Sequence, residues 1–234
     1  MNNLNKRIQQ LPQSNYLLIS RIDELKGRWV GGLNLSPQIL SRLKRSVLAS
    51  STGASTRIEG SKLTDAEVES LMRGLTMQKM ADRDAQEVRG YYEVLQMVFD
   101  NYADISFSES SILHLHNQLL KYSEKDERHK GHYKNLENNV EMRDQSGMVL
   151  SVLFETTPAY LTPKEIQELI VWTQDALQAK ENHPLVVIAA FIVGFLKIHP
   201  FVDGNGRLSR VLTNLLLLQA GYAYIPYVSL EKLV

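Results

Sequence analysis

His199-Pro200-Phe201-Val202-Asp203-Gly204-Asn205-Gly206-Arg207-Leu208-Ser209-Arg210 is a polar interruption between two apolar runs, Leu185 to Ile198 and Leu208 to Leu218. Each run is long enough for a helix and too apolar on every side for a surface one. The pattern therefore predicts two buried helices joined by this loop. Pro200 disfavours helical geometry at His199, so the first helix should stop there. Gly204, Asn205 and Gly206 can take positive φ and turn backbone amides inward, and the second helix should start directly after them.

Free N–H groups at a helix start, with the dipole behind them, attract phosphate. Arg207 and Arg210 are three apart and share a face of the first turn. Cations there oppose the macrodipole, which implies an anionic partner. Asp203 is a hard oxygen donor suited to Mg²⁺, which usually takes one or two carboxylates plus phosphate oxygens. His199 can accept a proton near neutral pH. Gly, Asp and Asn are also ordinary turn residues, but a turn requires neither two arginines nor a histidine.

The stretch resembles the signature of Fic-domain proteins, His-x-Phe-x-(Asp/Glu)-Gly-Asn-Gly-Arg-x-x-Arg, at every specified position. The resemblance implies a nucleotidyltransferase that moves AMP from ATP to a Ser, Thr or Tyr hydroxyl of a protein. On this resemblance His199 would deprotonate the acceptor and Phe201 would anchor the loop. Asp203 would hold Mg²⁺. Gly204, Asn205 and Gly206 would bind the α- and β-phosphates. Arg207 would support the phosphate site and Arg210 would pair with the terminal phosphate.

A second stretch, Ser55-Thr56-Arg57-Ile58-Glu59-Gly60, sits at the end of an expected helix. The dipole disfavours a carboxylate there by roughly 0.3–1 kcal/mol, so Glu59 wants a cation. Arg57 is two residues away and does not face it. The stretch is similar to the (Ser/Thr)-x-x-x-Glu-(Gly/Asn) inhibitory motif of Fic proteins that carry the inhibitor before the core. That similarity implies a Glu59–Arg210 pair. Gly131-His132-Tyr133-Lys134 resembles the family's Gly-x-Tyr-Arg element, with Lys134 replacing arginine; the residues alone read as an irregular connector. Met148 to Phe154 is rich in β-formers and fits a short hairpin. The family resemblance makes Val149, Leu150, Ser151, Val152 and Leu153 a flap that docks the target by strand addition.

The rest of the chain reads as helices. Ser14 to Trp29 is amphipathic, with Gly31-Gly32 as its stop. Pro37 after Ser36 opens a helix carrying Ile39, Leu40, Leu43, Val47 and Leu48 on one face, with Gly60 as C-cap. Thr64 to Glu67 is a capping box. Asp82 to Tyr102 and Ser108 to Leu120 follow; His114 and His116, two apart, diverge and make a poor metal pair. Thr162 to Glu165 reads as a second capping box, for a helix reaching about Lys180. Tyr222 to Tyr227 reads as an extended link, and Ser229 to Val234 as a helix cut short, with more sequence expected after it.

The expected architecture is all-α, a Fic-fold helical bundle around a buried central helix pair with one β-hairpin flap. Residues 1–107 form a helical N-terminal region with the inhibitory motif at 55–60. Residues 108–221 form the core, and 222–234 begin a C-terminal segment. The chain has 234 residues, with 26 basic and 26 acidic, so it lacks the basic footprint of nucleic-acid binders. It has no cysteine, which removes disulfides and thiolate chemistry and fits a cytoplasmic location. No apolar run is long enough for a membrane span. Mg²⁺, ATP as co-substrate and a protein acceptor are the implied partners; self-modification and a homodimer stay open. A different phosphate-containing donor, removal of AMP, or a non-catalytic nucleotide-sensing module are the rival readings.

Overall fold

The computed structural model describes residues 2–32, 35–74, 83–138, 140–143 and 148–233. Its helices, in chain order, are α1 (Asn2–Gln9), α2 (Gln13–Gly32), α3 (Pro37–Ile58), α4 (Asp65–Met72), α5 (Arg83–Asn101), α6 (Glu109–Leu119), α7 (Thr162–Ala179), α8 (Pro184–Ile198) and α9 (Asn205–Gln219). The strands β1 (Val140–Arg143) and β2 (Val149–Phe154) form an antiparallel hairpin, with Glu141 opposite Val152 and Met142 opposite Ser151. Among the described residues no helix is long and apolar enough to cross a membrane.

The core gathers around α9, which packs against α8, α5, α6 and α3. Leu208, Val211, Leu212 and Leu215 of α9 are buried, as are Phe191 and Phe195 of α8. On α5 the fully buried Val88, Tyr91, Val94, Leu95 and Val98 recur at the helical period, so this helix is anchored by one continuous apolar face. Unlike α9, α8 is not buried all round: Val193 is 51% exposed, on the side that faces α1 and α2.

The Ser55 to Gly60 stretch closes the second half of α3. Ser51, Thr52, Ala54, Ser55 and Thr56 are buried there, small residues that let the helix approach α5 and α9 closely. The first half behaves otherwise. Ile39 and Leu43, expected on a buried face, are 47% and 40% exposed. Ser36 caps the helix through its side chain, with Pro37 in the first turn. At the other end Gly60 takes φ 100°, and the N–H groups of Gly60 and Ser61 return to the carbonyls of Arg57 and Thr56. That is a Schellman ending, with Glu59 as the C-cap residue.

Four local expectations need correction. The helix α2 runs on through Gly31 and Gly32, since glycine keeps both backbone hydrogen-bonding groups and costs only about 1 kcal/mol in a helix. Thr162 does not cap α7. It already has helical geometry after a 3₁₀ turn at Ala159–Leu161, its hydroxyl donates to the Pro158 carbonyl, and Glu165 instead accepts from Thr157. Tyr222 to Tyr227 is not extended: Tyr222 and Ile225 are buried, and Ile225–Tyr227 is a 3₁₀ turn against α3. Glu231–Leu233 is likewise a 3₁₀ turn packed on α3, not the start of an α-helix.

Candidate active site

The site is assembled at the junction of α8 and α9. His199 closes α8 in the left-handed region, φ 52° and ψ 61°, with its N–H still bonded to the Phe195 carbonyl at 2.9 Å. A non-glycine residue held there stores roughly 1–2 kcal/mol of strain, so the surroundings must enforce it. They do so on both sides. The N–H of Lys134 donates to the Pro200 carbonyl at 2.9 Å, and Lys134 Nζ donates to the Ile198 carbonyl at 3.2 Å. The same ammonium bonds Asn138 Oδ1 and Thr156 Oγ1, so Lys134, 3% exposed, ties the base of the hairpin to the histidine turn. The Gly131 to Lys134 stretch is irregular, as expected, yet Lys134 within it is a buried structural clamp.

Phe201 is fully buried and stacked on the His116 imidazole, with centroids 3.7 Å apart. Asn205 then closes the loop. Its Oδ1 accepts from the Phe201 N–H at 2.9 Å and its Nδ2 donates to the Phe201 carbonyl at 2.8 Å. This engages the Asn205 side chain inside the loop and leaves its backbone N–H to meet an anion. Gly204, at φ 80°, is the N-cap of α9 and brings no capping side chain. The first-turn amides of Asn205, Gly206 and Arg207 therefore have no side-chain cap, as an anion cradle requires.

Asp203 is held on three sides. Its Oδ1 accepts from the Gly204 N–H at 2.6 Å and from Arg207 Nη2 at 3.0 Å, and its Oδ2 accepts from Lys125 Nζ at 2.8 Å. Burial opposes ionisation, but the Lys125 hydrogen bond and the charges of Arg207 and Lys125 outweigh it and hold the carboxyl well below its ordinary range. Lys125 is a cation seated on Asp203 Oδ2. Among the described residues no group of three or more His, Cys, Asp or Glu side chains could hold a metal. A single carboxylate beside a phosphate cradle nevertheless fits Mg²⁺, which keeps water and phosphate oxygens as its other ligands.

Arg207 is 1% exposed and lies between Asp203 and Glu87, with Nη1 2.8 Å from Glu87 Oε2. That approach is an ion pair off the hydrogen-bond line. Arg207 Nε and Nη1 are buried with no hydrogen-bond acceptor among the described residues. Flanked by these two carboxylates, the buried guanidinium ties Asp203 and the start of α9 to α5.

Arg210 faces the end of α3. Its Nη2 lies 2.7 Å from Glu59 Oε1 and 3.0 Å from the Ser55 carbonyl, while its Nε donates to Ser55 Oγ at 2.7 Å. Glu59 also covers the loop: a Cβ added to Gly206 would collide with Glu59 Oε1. Arg57 is turned away and pairs with Asp65 at 2.8 Å.

His199 is partly exposed, but its Nδ1 is buried without a close hydrogen bond among the described residues. Burial pushes its pKa below the ordinary histidine value, and the Leu196 carbonyl opposes that shift. His116 is fully buried. Its Nδ1 accepts from the Gly131 N–H at 2.8 Å, so its Nε2 carries the proton and donates to the Asp203 carbonyl at 3.0 Å. Burial lowers its pKa to about 4. It is a loop support and no metal partner for His114.

The structure thus brings His199, Asp203, Gly204, Asn205, Gly206, Arg207, Arg210 and Glu59 together. The hairpin residues Val149, Leu150, Ser151, Val152 and Leu153 lie on β2, which pairs only with β1 among the described residues. Glu87 and Lys125 complete the site without any signal along the chain, because each is an ordinary helix or turn charge until packing places it. Concavity would have pointed elsewhere, to an apolar groove of about 640 Å³ lined by Leu18, Ile22 and Val193 among others.

A helical domain with a histidine turn feeding an amide cradle and two arginines defines the class. Residues 106–217 match the Fic/DOC family, and the chain carries a Fic/DOC family domain. It is 28% identical over 193 residues to the protein adenylyltransferase Fic of Drosophila willistoni, covering 78% of this chain and 34% of that protein. It is 38% identical over 81 residues to a Fido domain-containing protein of Dictyostelium discoideum, covering 31% of this chain and 54% of the relative. The chain therefore spans about half or less of the length of these curated relatives. A Fic domain containing signaling protein from Bacteroides thetaiotaomicron has the same fold, with a TM-score of 0.72 and 26% identity over 86% of this chain and 73% of that one.

Proposed function

We propose that this chain is a protein adenylyltransferase that moves AMP from Mg-ATP to a Ser, Thr or Tyr hydroxyl and is held inactive by Glu59. The observation that carries this reading is the convergence of His199, the uncapped first-turn amides of α9 and Arg210 around one loop. A scaffold needs none of these, and nucleotide sensing needs no base.

The acceptor oxygen attacks the α-phosphorus, and the bond from that phosphorus to the bridging oxygen breaks. Pyrophosphate leaves with the electron pair, and His199 takes the hydroxyl proton. A lowered histidine pKa keeps the imidazole neutral, as a base must be, well into mildly acidic solution. The amides of Asn205 and Gly206 and the Arg207 guanidinium hold negative phosphate oxygens in a fixed place, so catalysis is mainly positioning and electrostatic stabilisation. Arg210 takes the terminal phosphate once Glu59 has left it. Mg²⁺, held by Asp203 after Lys125 yields its oxygen, would supply charge neutralisation of the phosphates. The edge of β2 away from β1, unpaired among the described residues, offers main-chain groups to an extended target segment.

The test is incubation of Glu59→Gly protein with α-labelled and, separately, γ-labelled ATP, together with candidate acceptor proteins. Label retained from the α-phosphate alone supports AMP transfer. Transfer of the γ-label instead, or of neither, removes the reading.

A further inference from the structure

Glu59 is the C-cap of α3, with φ −90° and ψ 6°, where the helix dipole disfavours a carboxylate. Helix ends are also the parts of a helix that open most readily. The pair with Arg210 joins two partly exposed groups, so it does not by itself fix the last turn. Arg57 does. Its Nη1 donates to the Leu63 carbonyl at 2.9 Å and its Nη2 donates to Asp65 Oδ1 at 2.8 Å. One planar guanidinium thus grips both the chain leaving α3 and the first residue of α4. Between these points the Gly60 N–H returns to the Arg57 carbonyl and the Ser61 N–H to the Thr56 carbonyl, both at 3.0 Å. The Lys62 N–H donates to Asp84 Oδ2, in the first turn of α5, at 2.9 Å. Asp65 Oδ2 has a second cation, Lys232 Nζ, at 3.6 Å. The turn that follows Glu59 is therefore fastened to α3, α4 and α5.

Gly53 is an independent sign that this grip is built. It is buried inside α3, where glycine costs roughly 0.5–1 kcal/mol relative to alanine, and it has no positive φ to require it. A Cβ there would lie 2.6 Å from Asp65 Oδ1 and 2.7 Å from Arg57 Nη1, and its closest contacts include no backbone atom. The space left by the missing side chain is the seat of the Arg57–Asp65 pair.

We propose that Arg57 and Asp65 are positioning residues for Glu59: their clamp, seated on Gly53, fixes where α3 ends and so holds the Glu59 carboxylate on Arg210. Both side chains are 36% exposed, so the clamp adds little to global stability. Its effect is local. Opening it lets the last turn of α3 fray and takes Glu59 off the arginine without unfolding the molecule. This inference deepens the reading of Glu59 as an inhibitor and rests on it for its effect on activity.

Three variants attack the clamp in different ways. Arg57→Gln removes the guanidinium, Asp65→Asn removes the carboxylate, and Gly53→Ala wedges the pair apart with every charge kept. Hydrogen exchange at the Gly60 and Ser61 amides, read by NMR, should be about threefold faster or more in each, the scale of a partly exposed ion pair. AMP transfer by otherwise unmodified protein should rise about threefold or more. In the Glu59→Gly background the same substitutions should change it by less than about twofold, because the residue they act through is gone. Gly53→Ala should keep or raise the melting temperature, since alanine favours a helix, and this separates a lost clamp from a general loss of stability. Arg57→Gln, at an exposed position, carries the test should Gly53→Ala fail to fold. Unchanged amide exchange in the variants overturns the clamp. Unchanged AMP transfer beside an active Glu59→Gly protein, or an equal rise in both backgrounds, overturns its action through Glu59. Faster exchange in the variants, with no AMP transfer even by Glu59→Gly protein, upholds the clamp and overturns the enzymatic reading instead.

Discussion

Glu59 Oε1 lies 2.7 Å from Arg210 Nη2, across 151 residues of chain. The contact is single and not bidentate, because the Nε edge of Arg210 is already engaged by Ser55. Both partners are partly exposed, at 35% and 20% of their side-chain surface, so the pair contributes little to stability. Its consequence is occupancy: it fills the arginine and covers Gly206 with a carboxylate. Glu59→Gly should therefore raise AMP transfer at least about tenfold, equivalent to about 1.4 kcal/mol of barrier, while leaving the melting temperature nearly unchanged. Arg210→Ala should abolish that gain in the double variant. A labelled-ATP transfer assay on wild type, both single variants and the double variant measures this, and equal rates for wild type and Glu59→Gly would remove the autoinhibition claim.

His199→Ala should lower AMP transfer by about 10²- to 10⁴-fold and leave the fold intact, since the side chain ends a helix and fills no core position. In active protein, the acidic limb of the pH–rate profile should fall below the ordinary histidine value of 6.5, because burial lowers the His199 pKa. An acidic limb centred above 6.5 would assign it to another group.

Lys125 and Mg²⁺ should compete for Asp203 Oδ2. Lys125→Ala should lower the Mg²⁺ concentration needed for half-maximal nucleotide binding, read by calorimetry with a non-hydrolysable ATP analogue. Asp203→Ala should remove the Mg²⁺ dependence of that binding. If Lys125→Ala needs more Mg²⁺, the lysine serves the nucleotide and does not guard the metal position.

His116 makes stability depend on pH. Its folded pKa, about 4, lies below the ordinary 6.5, so between those values the unfolded chain binds a proton that the native protein does not. Its contribution to stability is present above pH 6.5 and is lost as pH falls towards 4, on the order of 3 kcal/mol in total. Urea unfolding from about pH 7.5 to 4 should show this fall, and His116→Gln should be less stable near pH 7 with a shallower slope. A parallel slope in the variant would place the titration elsewhere.

Proline at Ser151 removes a backbone donor from β2 and should impair modification of a protein target more than it impairs ATP binding. Comparing target labelling with calorimetric ATP affinity in Ser151→Pro separates the two. Equal losses would make the strand a nucleotide wall, not a docking edge.

The histidine turn and the glycine N-cap could be read along the chain because their causes are local, although α9 opens at Asn205, inside the Gly204 to Gly206 stretch and not after it. Pro200 stops one helix, Gly204 takes its positive φ without a side-chain clash, and two apolar runs supply the flanking helices. Ser36 and Thr64 announced helix starts for the same reason. Expectation failed where a local signal met a packing alternative. Thr162 found a carbonyl behind it and became part of the helix, and the apparent link at Tyr222 had an apolar surface to bury. The partners of the site residues belong to packing altogether. Glu87 reaches Arg207, Lys125 reaches Asp203, His116 supports the loop, and Lys134 clamps both sides of His199. Nothing in the chain neighbours of those residues specifies such distances. A charge is assigned a partner only when helices dock, and it is docking that removes the water which would otherwise satisfy it.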